Sequence, residues 1–263
     1  FHALVLDRWR EGRVFLAGDA AHQMPPFLGQ GLCAGIRDAL NLAWKLDGVL
    51  RGLYPPALLD TYEAERKPHA KAIVAHAKAF GLVIGELDEA KARVRDAEMG
   101  AALAAGRSET VRQRFIPGLE DGLLARQPDG RLWPGAGQLF VQPEVQTADG
   151  TRRRLDDVTG ACWRLVTTER ALLQGINDAA WAGWRAMEGV AVMVAPPEGT
   201  LGPDVPDGTV AVTACHSLLA DWLAGLGAQA VVVRPDHYVY GAAVDAGELR
   251  LLLCDLAAAL GRG

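Results

Sequence analysis

The segment whose pattern points to a ligand runs Gly12-Arg13-Val14-Phe15-Leu16-Ala17-Gly18-Asp19-Ala20-Ala21-His22-Gln23-Met24-Pro25-Pro26-Phe27-Leu28-Gly29-Gln30-Gly31-Leu32-Cys33-Ala34-Gly35-Ile36-Arg37-Asp38-Ala39. Val14 to Ala17 is a short apolar run between Gly12-Arg13 and Gly18-Asp19, the pattern of a buried strand that ends in a tight turn. Such a strand delivers the Asp19 carboxylate at its C-terminal end, where ligands bind in open α/β sheets. A carboxylate there accepts hydrogen bonds from sugar or polyol hydroxyls. Pro25 and Pro26 fix the path of the following loop, and Gly29 and Gly31 let the backbone approach a flat ligand. A helix is predicted next, from about Leu32 to Leu50, with Ile36, Leu40, Ala43, Leu46 and Leu50 along its apolar face. Its unpaired N–H groups and positive dipole end face the same place as Asp19.

Such a site suits negative charge on a planar ring. A reduced flavin, anionic around N1 and the C2 carbonyl, fits that description. Taken alone, Gly18-Asp19 reads as a turn after a strand; the whole constellation favours ligand contact.

The segment resembles the second flavin-binding signature, Gly-Asp-Ala-Ala-His followed by Pro-Pro and Gly-x-Gly, of the class A FAD-dependent aromatic hydroxylases (flavoprotein monooxygenases). Within that family it is similar to the branch of 3-(3-hydroxyphenyl)propionate hydroxylase and phenol hydroxylase. Arg37-Asp38-Ala39-Leu40-Asn41-Leu42-Ala43-Trp44-Lys45-Leu46 and Tyr62-Glu63-Ala64-Glu65-Arg66 recur in that family in this order. The stretches Val232-Val233-Arg234-Pro235-Asp236 and Tyr238-Val239-Tyr240-Gly241 resemble the branch's C-terminal thioredoxin-like domain.

The resemblance implies a cofactor site of Gly18, Asp19, Pro25, Pro26, Gly29, Gln30, Gly31, Leu32 and Cys33. Asp19 would bond the ribityl chain of FAD. Pro25 and Pro26 would lie beside the isoalloxazine ring, close to a phenolic substrate. The backbone from Gly29 to Cys33 would face the pyrimidine edge and stabilise the anion formed on reduction. Many relatives have Asn at the position of Cys33, which matters little where the contact is a backbone N–H. The implied reaction is hydroxylation of a phenolic compound with O2, FAD and NADH or NADPH, the cofactor carrying the chemistry. No catalytic side chain is assigned.

The rest of the chain reads as α/β, the C-terminal part of an FAD-binding domain followed by a thioredoxin-like domain. A second helix is predicted through Leu59, Tyr62 and Arg66, kinked at Pro68 and reaching about Phe80 before Gly81. A third, from about Glu86 to Ala104, alternates its charges as a solvated element does. Gly and Pro punctuate residues 116–137, expected as a linker between domains at 1–115 and 138–263. Beyond it, Cys162 to Thr167 reads as strand, Glu169 to Met187 as helix, Val190 to Val194 as strand and Ser217 to Leu226 as helix. A hairpin is expected around Pro235-Asp236, with strands over 231–233 and 238–244, and a last helix over 246–260. This order is thioredoxin-like, but there is no C-x-x-C, so disulfide exchange is not expected of the tail.

Other side chains have bland readings. His22 is expected to pack or to bond a helix end rather than to react. Asp38, Asn41 and Lys45 share one side of a helix and are expected to anchor it, and Glu63 to pair with Arg66 or Lys67. Trp163, Trp181, Trp184 and Trp222 read as core. Gly225-Leu226-Gly227-Ala228-Gln229-Ala230 matches a dinucleotide fingerprint but follows a helix and precedes a strand, the reverse of the required order. Gly29-Gln30-Gly31-Leu32-Cys33-Ala34 opens a helix after a long loop, which suits ring contact instead of pyrophosphate.

With 263 residues, half of them hydrophobic, two modest cores are expected. The net charge is −5 with Lys and Arg dispersed, which gives no footprint for nucleic acid or an anionic membrane. Arg152-Arg153-Arg154 is followed by Asp156-Asp157 and reads as a solvated strand end. The four cysteines, Cys33, Cys162, Cys215 and Cys254, have no metal-ligand spacing, and no metal is expected. The cytoplasm is the expected compartment, with no membrane span. The chain opens without Met in what reads as a strand, so its beginning is expected to lie elsewhere. It has no Gly-x-Gly-x-x-Gly after an N-terminal strand, and taken alone it is expected neither to retain FAD nor to turn over. Two alternatives stay open: a non-catalytic thioredoxin-like module acting in homodimer formation, and a flavin-dependent halogenase or epoxidase of the same fold.

Overall fold

The computed structural model describes residues 1–107, 116–199 and 205–261. They divide into two compact units, Phe1–Leu40 with Glu63–Gly118, and Asn41–Tyr62 with Leu119–Gly263.

In the first unit, β1 (Leu4–Val5), β2 (Arg10–Glu11), β3 (Val14–Phe15) and β4 (His22–Gln23) form two small antiparallel pairs, β1 with β4 and β2 with β3. The apolar run at Val14 is not a buried strand: Val14 is 63% exposed. An apolar strand is covered only where neighbours flank it, and among the described residues β3 pairs with β2 alone. Helix α1 (Gly31–Leu50) starts in this unit, α2 (Thr61–Ile84) supplies most of it, and α3 (Glu89–Ala104) buries none of its residues. Asp88 caps α3 by accepting from Ala90 N and Lys91 N. Helix α2 continues through both Pro68 and Gly81. Gly81 does not end it because its missing side chain makes room for a ring: a Cβ there would stand 2.4 Å from Phe27 Cε2.

The face of α1 that is buried is not the apolar one. Ile36 and Leu40 are 50% and 41% exposed, while Ala34, Asp38, Asn41, Lys45 and Gly48 are buried. These five recur every three or four residues, one stripe of a helix. Its polar members are tolerated because each is bonded: Asp38 to three partners, and Asn41 Nδ2 to Asp236 Oδ2 at 2.8 Å, with Lys45 Nζ donating to Asn41 Oδ1 at 2.9 Å. Gly48 lets the Tyr54 ring lie on the helix, where a Cβ would be 2.0 Å from Tyr54 Cδ2.

The second unit is built on a seven-stranded mixed sheet. Its elements are β5 (Glu144–Gln146), β6 (Arg152–Arg154), α4 (Leu155–Thr159), β7 (Arg164–Thr167), α5 (Arg170–Gln174), α6 (Asp178–Ala186), β8 (Val190–Ala195), β9 (Val210–Ala214), α7 (Leu218–Leu226), β10 (Ala230–Val233), β11 (Val239–Ala243) and α8 (Ala246–Ala259). The strand order is β11-β10-β7-β8-β9-β5-β6, parallel from β7 to β9 and antiparallel elsewhere. Alternate residues face opposite sides. Leu165, Met193, Val232 and Tyr240 join α5, α6 and α8 residues around Trp163 and Trp184. Val166, Val192, Val194, Val231 and Val239 pack with Leu219 and Leu223 of α7. Tyr54 and Leu58 belong to the first cluster, so residues 41–62 group with this unit.

The single helix expected over 169–187 is two, divided at Gly175, with Asn177 Oδ1 capping the second through Ala180 N. Strands β5 and β9 are additional to the expected elements, while Arg152–Arg154 forms the exposed strand β6 where a solvated strand end was expected. Within the expected linker, Leu119, Leu123, Leu124 and Ala125 are buried and packed in the second unit. All four cysteines are free thiols.

Candidate functional site

The loop between β3 and α1 is shaped by two left-handed glycines, Gly18 at φ +57° and Gly29 at φ +61°. Gly18 opens a 3-10 turn, Gly18–Ala20, closed by Ala21 N donating to Gly18 O at 2.8 Å. Pro26 opens a second, Pro26–Leu28, closed by Gly29 N donating to Pro26 O at 2.9 Å. The first helical bond of α1 runs from Ala34 N to Gln30 O, so the N–H groups of Gly31, Leu32 and Cys33 stand ahead of it as donors without helix partners.

These elements border an open cavity of about 470 Å³ lined by Asp19, Pro26, Gly29, Gly31 and Leu32, together with Phe1, His2, Gln23 and Met24. Five of the nine expected site residues therefore share one wall. Of the other four, Gly18 lies half-buried beside Asp19, Pro25 is buried, Cys33 is exposed in the first turn of α1, and Gln30 is half-buried. The Gln30 Oε1 atom is buried with no hydrogen-bond partner. Phe1, His2, Gln23 and Met24 were not singled out by pattern. Phe1 is placed by an edge-to-face contact with Phe27, centroids 5.6 Å apart.

Charge under the loop is gathered at Asp38, which is fully buried. Its carboxylate accepts from Gly18 N at 3.1 Å, His22 Nε2 at 2.7 Å and Arg66 Nε at 2.9 Å. Burial alone would raise its pKa, but the bond from His22 and the charge and bond of Arg66 outweigh it and hold the carboxyl below its ordinary range. His22 is buried, with its ring 5.3 Å from that of Trp9, as the packing reading expected. Arg66 Nη2 lies 3.1 Å from His69 Nδ1; since Arg can only donate, that nitrogen accepts and His69 is neutral. Burial, then the charges of Arg66 and Arg37, push the His69 pKa down to about 3. Glu63 pairs with Lys67 at 2.8 Å and also accepts from Trp9 N at 2.8 Å, tying α2 to the start of the chain.

The donor set fits a flavin. Asp19 is an exposed carboxylate for hydroxyl donors, the α1 amides are donors for an anionic ring edge, and Gln30 Oε1 is a buried acceptor in need of an N–H. Among the described residues no group of three or more His, Cys, Asp and Glu is placed to hold a metal ion. None of the described helices is long and apolar enough to cross a membrane.

Residues 1–77 match the FAD binding domain family, and residues 137–259 match the HcaD C-terminal domain family. A relative from Rhodococcus jostii (strain RHA1), named "Probable NADH-specific resorcinol 4-hydroxylase", is 40% identical over 260 residues, covering 99% of this chain and 45% of the relative. A 3-(3-hydroxy-phenyl)propionate/3-hydroxycinnamic acid hydroxylase of Burkholderia vietnamiensis (strain G4 / LMG 22486) is 37% identical over 256 residues, 90% of this chain and 45% of the relative. The chain thus spans about half the length of the curated relatives it matches. Among solved structures, the flavin-dependent monooxygenase PieE in complex with FAD and substrate aligns over 98% of this chain and 49% of its own, with TM-score 0.69 and 26% identity. The OxyS anhydrotetracycline hydroxylase of Streptomyces rimosus aligns over 98% and 46%, with TM-score 0.68 and 28% identity. By these matches residues 1–77 carry an FAD binding domain, and nearly the whole chain is similar to about half the length of phenolic-compound hydroxylases and of flavin-dependent monooxygenases.

Proposed function

We propose that this chain supplies part of the flavin site of an enzyme that hydroxylates a phenolic compound with O2 and a reduced nicotinamide. The observation that carries the reading is the cavity at the start of α1, where Asp19, Gly29, Gly31 and Leu32 share a wall. Asp19 would hold ribityl hydroxyls. The amides of Gly31 to Cys33 would face the pyrimidine edge, and Gln30 would accept from a ring N–H. Gly18 would let the chain turn so that Asp19 reaches the cavity, and Pro25 with Pro26 would border the ring on the side of the substrate. When bound, FAD would accept hydride from the nicotinamide and activate oxygen for transfer to the ring.

The residues of the chain bind, orient and exclude water; no side chain here is assigned a proton transfer. A phenol is supported as substrate class by the resorcinol and hydroxyphenylpropionate hydroxylases among the relatives, and NADH by the name of the Rhodococcus protein. The tail, residues 138–263, is proposed as a thioredoxin-like domain without redox function, supported by the order of β7, β8, β10 and β11 with their helices and by free thiols that form no C-x-x-C. Those thiols also suit the cytoplasm.

The test is oxidation of NADH and NADPH by the natural-length protein, with and without resorcinol and 3-(3-hydroxyphenyl)propionate, with product identified by mass. Phenol-stimulated oxidation with gain of one oxygen is expected. A chlorinated product in the presence of chloride, or no flavin-dependent oxidation at all, would sink the reading.

A further inference from the structure

Asp38 lies outside the cavity wall, yet each group it holds belongs to the wall's support. One carboxylate oxygen, Oδ2, accepts both from the backbone N–H of Gly18 and from His22 Nε2; the other, Oδ1, accepts from Arg66 of α2. Gly18 and His22 bracket Asp19, Ala20 and Ala21, so the two ends of the loop that carries Asp19 are pinned to one point on α1. The Asp19 side chain is exposed and faces the cavity, which leaves the loop's position to its backbone anchors.

Beside the pin, the loop touches the helix directly. Gly35, one turn before Asp38, sits so close that a Cβ on it would be 3.2 Å from Gly18 Cα. The contact allows little slack, and the charge-assisted bonds set which way the Gly18 amide points. Since a carboxylate can only accept, His22 donates through Nε2, and its ring packs in the core against Trp9, the two planes tilted by 30°.

We infer that Asp38 is the positioning residue of the cofactor loop, holding Gly18 and His22 so that Asp19 is presented to the ribityl chain. The inference rests on the flavin reading above but reaches a residue that touches no cofactor. Asp38→Asn keeps the volume and removes the charge, and the new amide NH2 faces a donor on one side.

Two measurements on the natural-length protein test it. In the first, hydrogen exchange is followed without added FAD. Asp38→Asn is expected to speed exchange in the segment from Gly18 to Gln23 while leaving the β7–β10 core unchanged. In the second, FAD affinity is measured for wild type, Asp38→Asn, Asp19→Ala and the double variant. Asp38→Asn is expected to weaken binding by about tenfold or more, the loss of one charge-assisted bond. Its effect should largely vanish in the Asp19→Ala background, because it acts through Asp19.

Unchanged loop exchange, or additive losses, overturns the inference. Wild type that binds no FAD contradicts the flavin reading, and the exchange result still decides the role of Asp38. Should Asp38→Asn fail to fold, His22→Leu releases one end of the loop with the Asp38–Arg66 pair intact, and the same exchange result is expected.

Discussion

A methyl group added to Gly35 would stand 3.2 Å from the Cα of Gly18, backbone against backbone, at the point where α1 passes under the Asp19 loop. Helix α1 and the loop therefore meet through two glycines, and neither neighbour is a flexible side chain that could swing away. Gly35→Ala requires the loop to give by a few tenths of an ångström, and the overpacking should cost about 1 to 3 kcal/mol, offset in part by the roughly 1 kcal/mol that Ala gains over Gly inside a helix. FAD affinity should fall with it. Urea unfolding and an FAD titration of the variant check this; stability and affinity both at wild-type values would show that the loop gives way without consequence.

His69 makes stability depend on pH near neutrality. Its pKa is about 3 in the folded chain, because it is buried beside Arg66 and Arg37, against about 6.5 unfolded. Between these values the unfolded state binds the extra proton, so the contribution is complete above about pH 6.5 and is lost as pH falls. From pH 7 to 5.5 the loss should be about 1 kcal/mol. His69→Gln, which still offers an acceptor to Arg66, should remove that part of the slope. Equal slopes in the two proteins would mean that His69 takes up its proton in the folded state.

In the second unit the tightest demand for glycine is at Gly137, with φ +80°. A Cβ there would lie 1.9 Å from the carbonyl oxygen of Leu119, whose N–H in turn donates to Gly137 O at 2.8 Å. Gly137→Ala combines left-handed strain with a clash against backbone and should cost about 3 kcal/mol or more. Thermal unfolding followed by tryptophan fluorescence reports it, since Trp163 and Trp184 lie in the core of this unit. A melting temperature within a degree of wild type would contradict the packing described.

The order of loop, helix, central strands and hairpin was legible because each rests on local signals: glycines and prolines at turns, and short apolar runs in alternation with helices. The turns of the Asp19 loop were legible for the same reason, and Asp19, Gly29 and Gly31 line one pocket. The orientation of α1 was not. Apolar spacing pointed to the Ile36–Leu40 face, whereas the buried stripe carries Asp38, Asn41 and Lys45, whose partners include Arg66 and Asp236, 28 and 195 residues away in sequence. A buried charge is decided by its partner, and partners so distant leave no local mark. Strand β9 was missed because Val210–Ala214 gains its stability from β8 and β5 on either side. Gly81 reads as a stop until the Phe27 ring that occupies its notch is seen.

The most direct test of the account is an FAD titration of the natural-length protein against its Asp19→Ala variant, read from the visible flavin spectrum. Loss of affinity by about tenfold or more in the variant, with unfolding unchanged, is the predicted result for an exposed carboxylate that accepts hydroxyl donors of the cofactor. Equal affinity in the two proteins would contradict the placement of the cofactor at this loop.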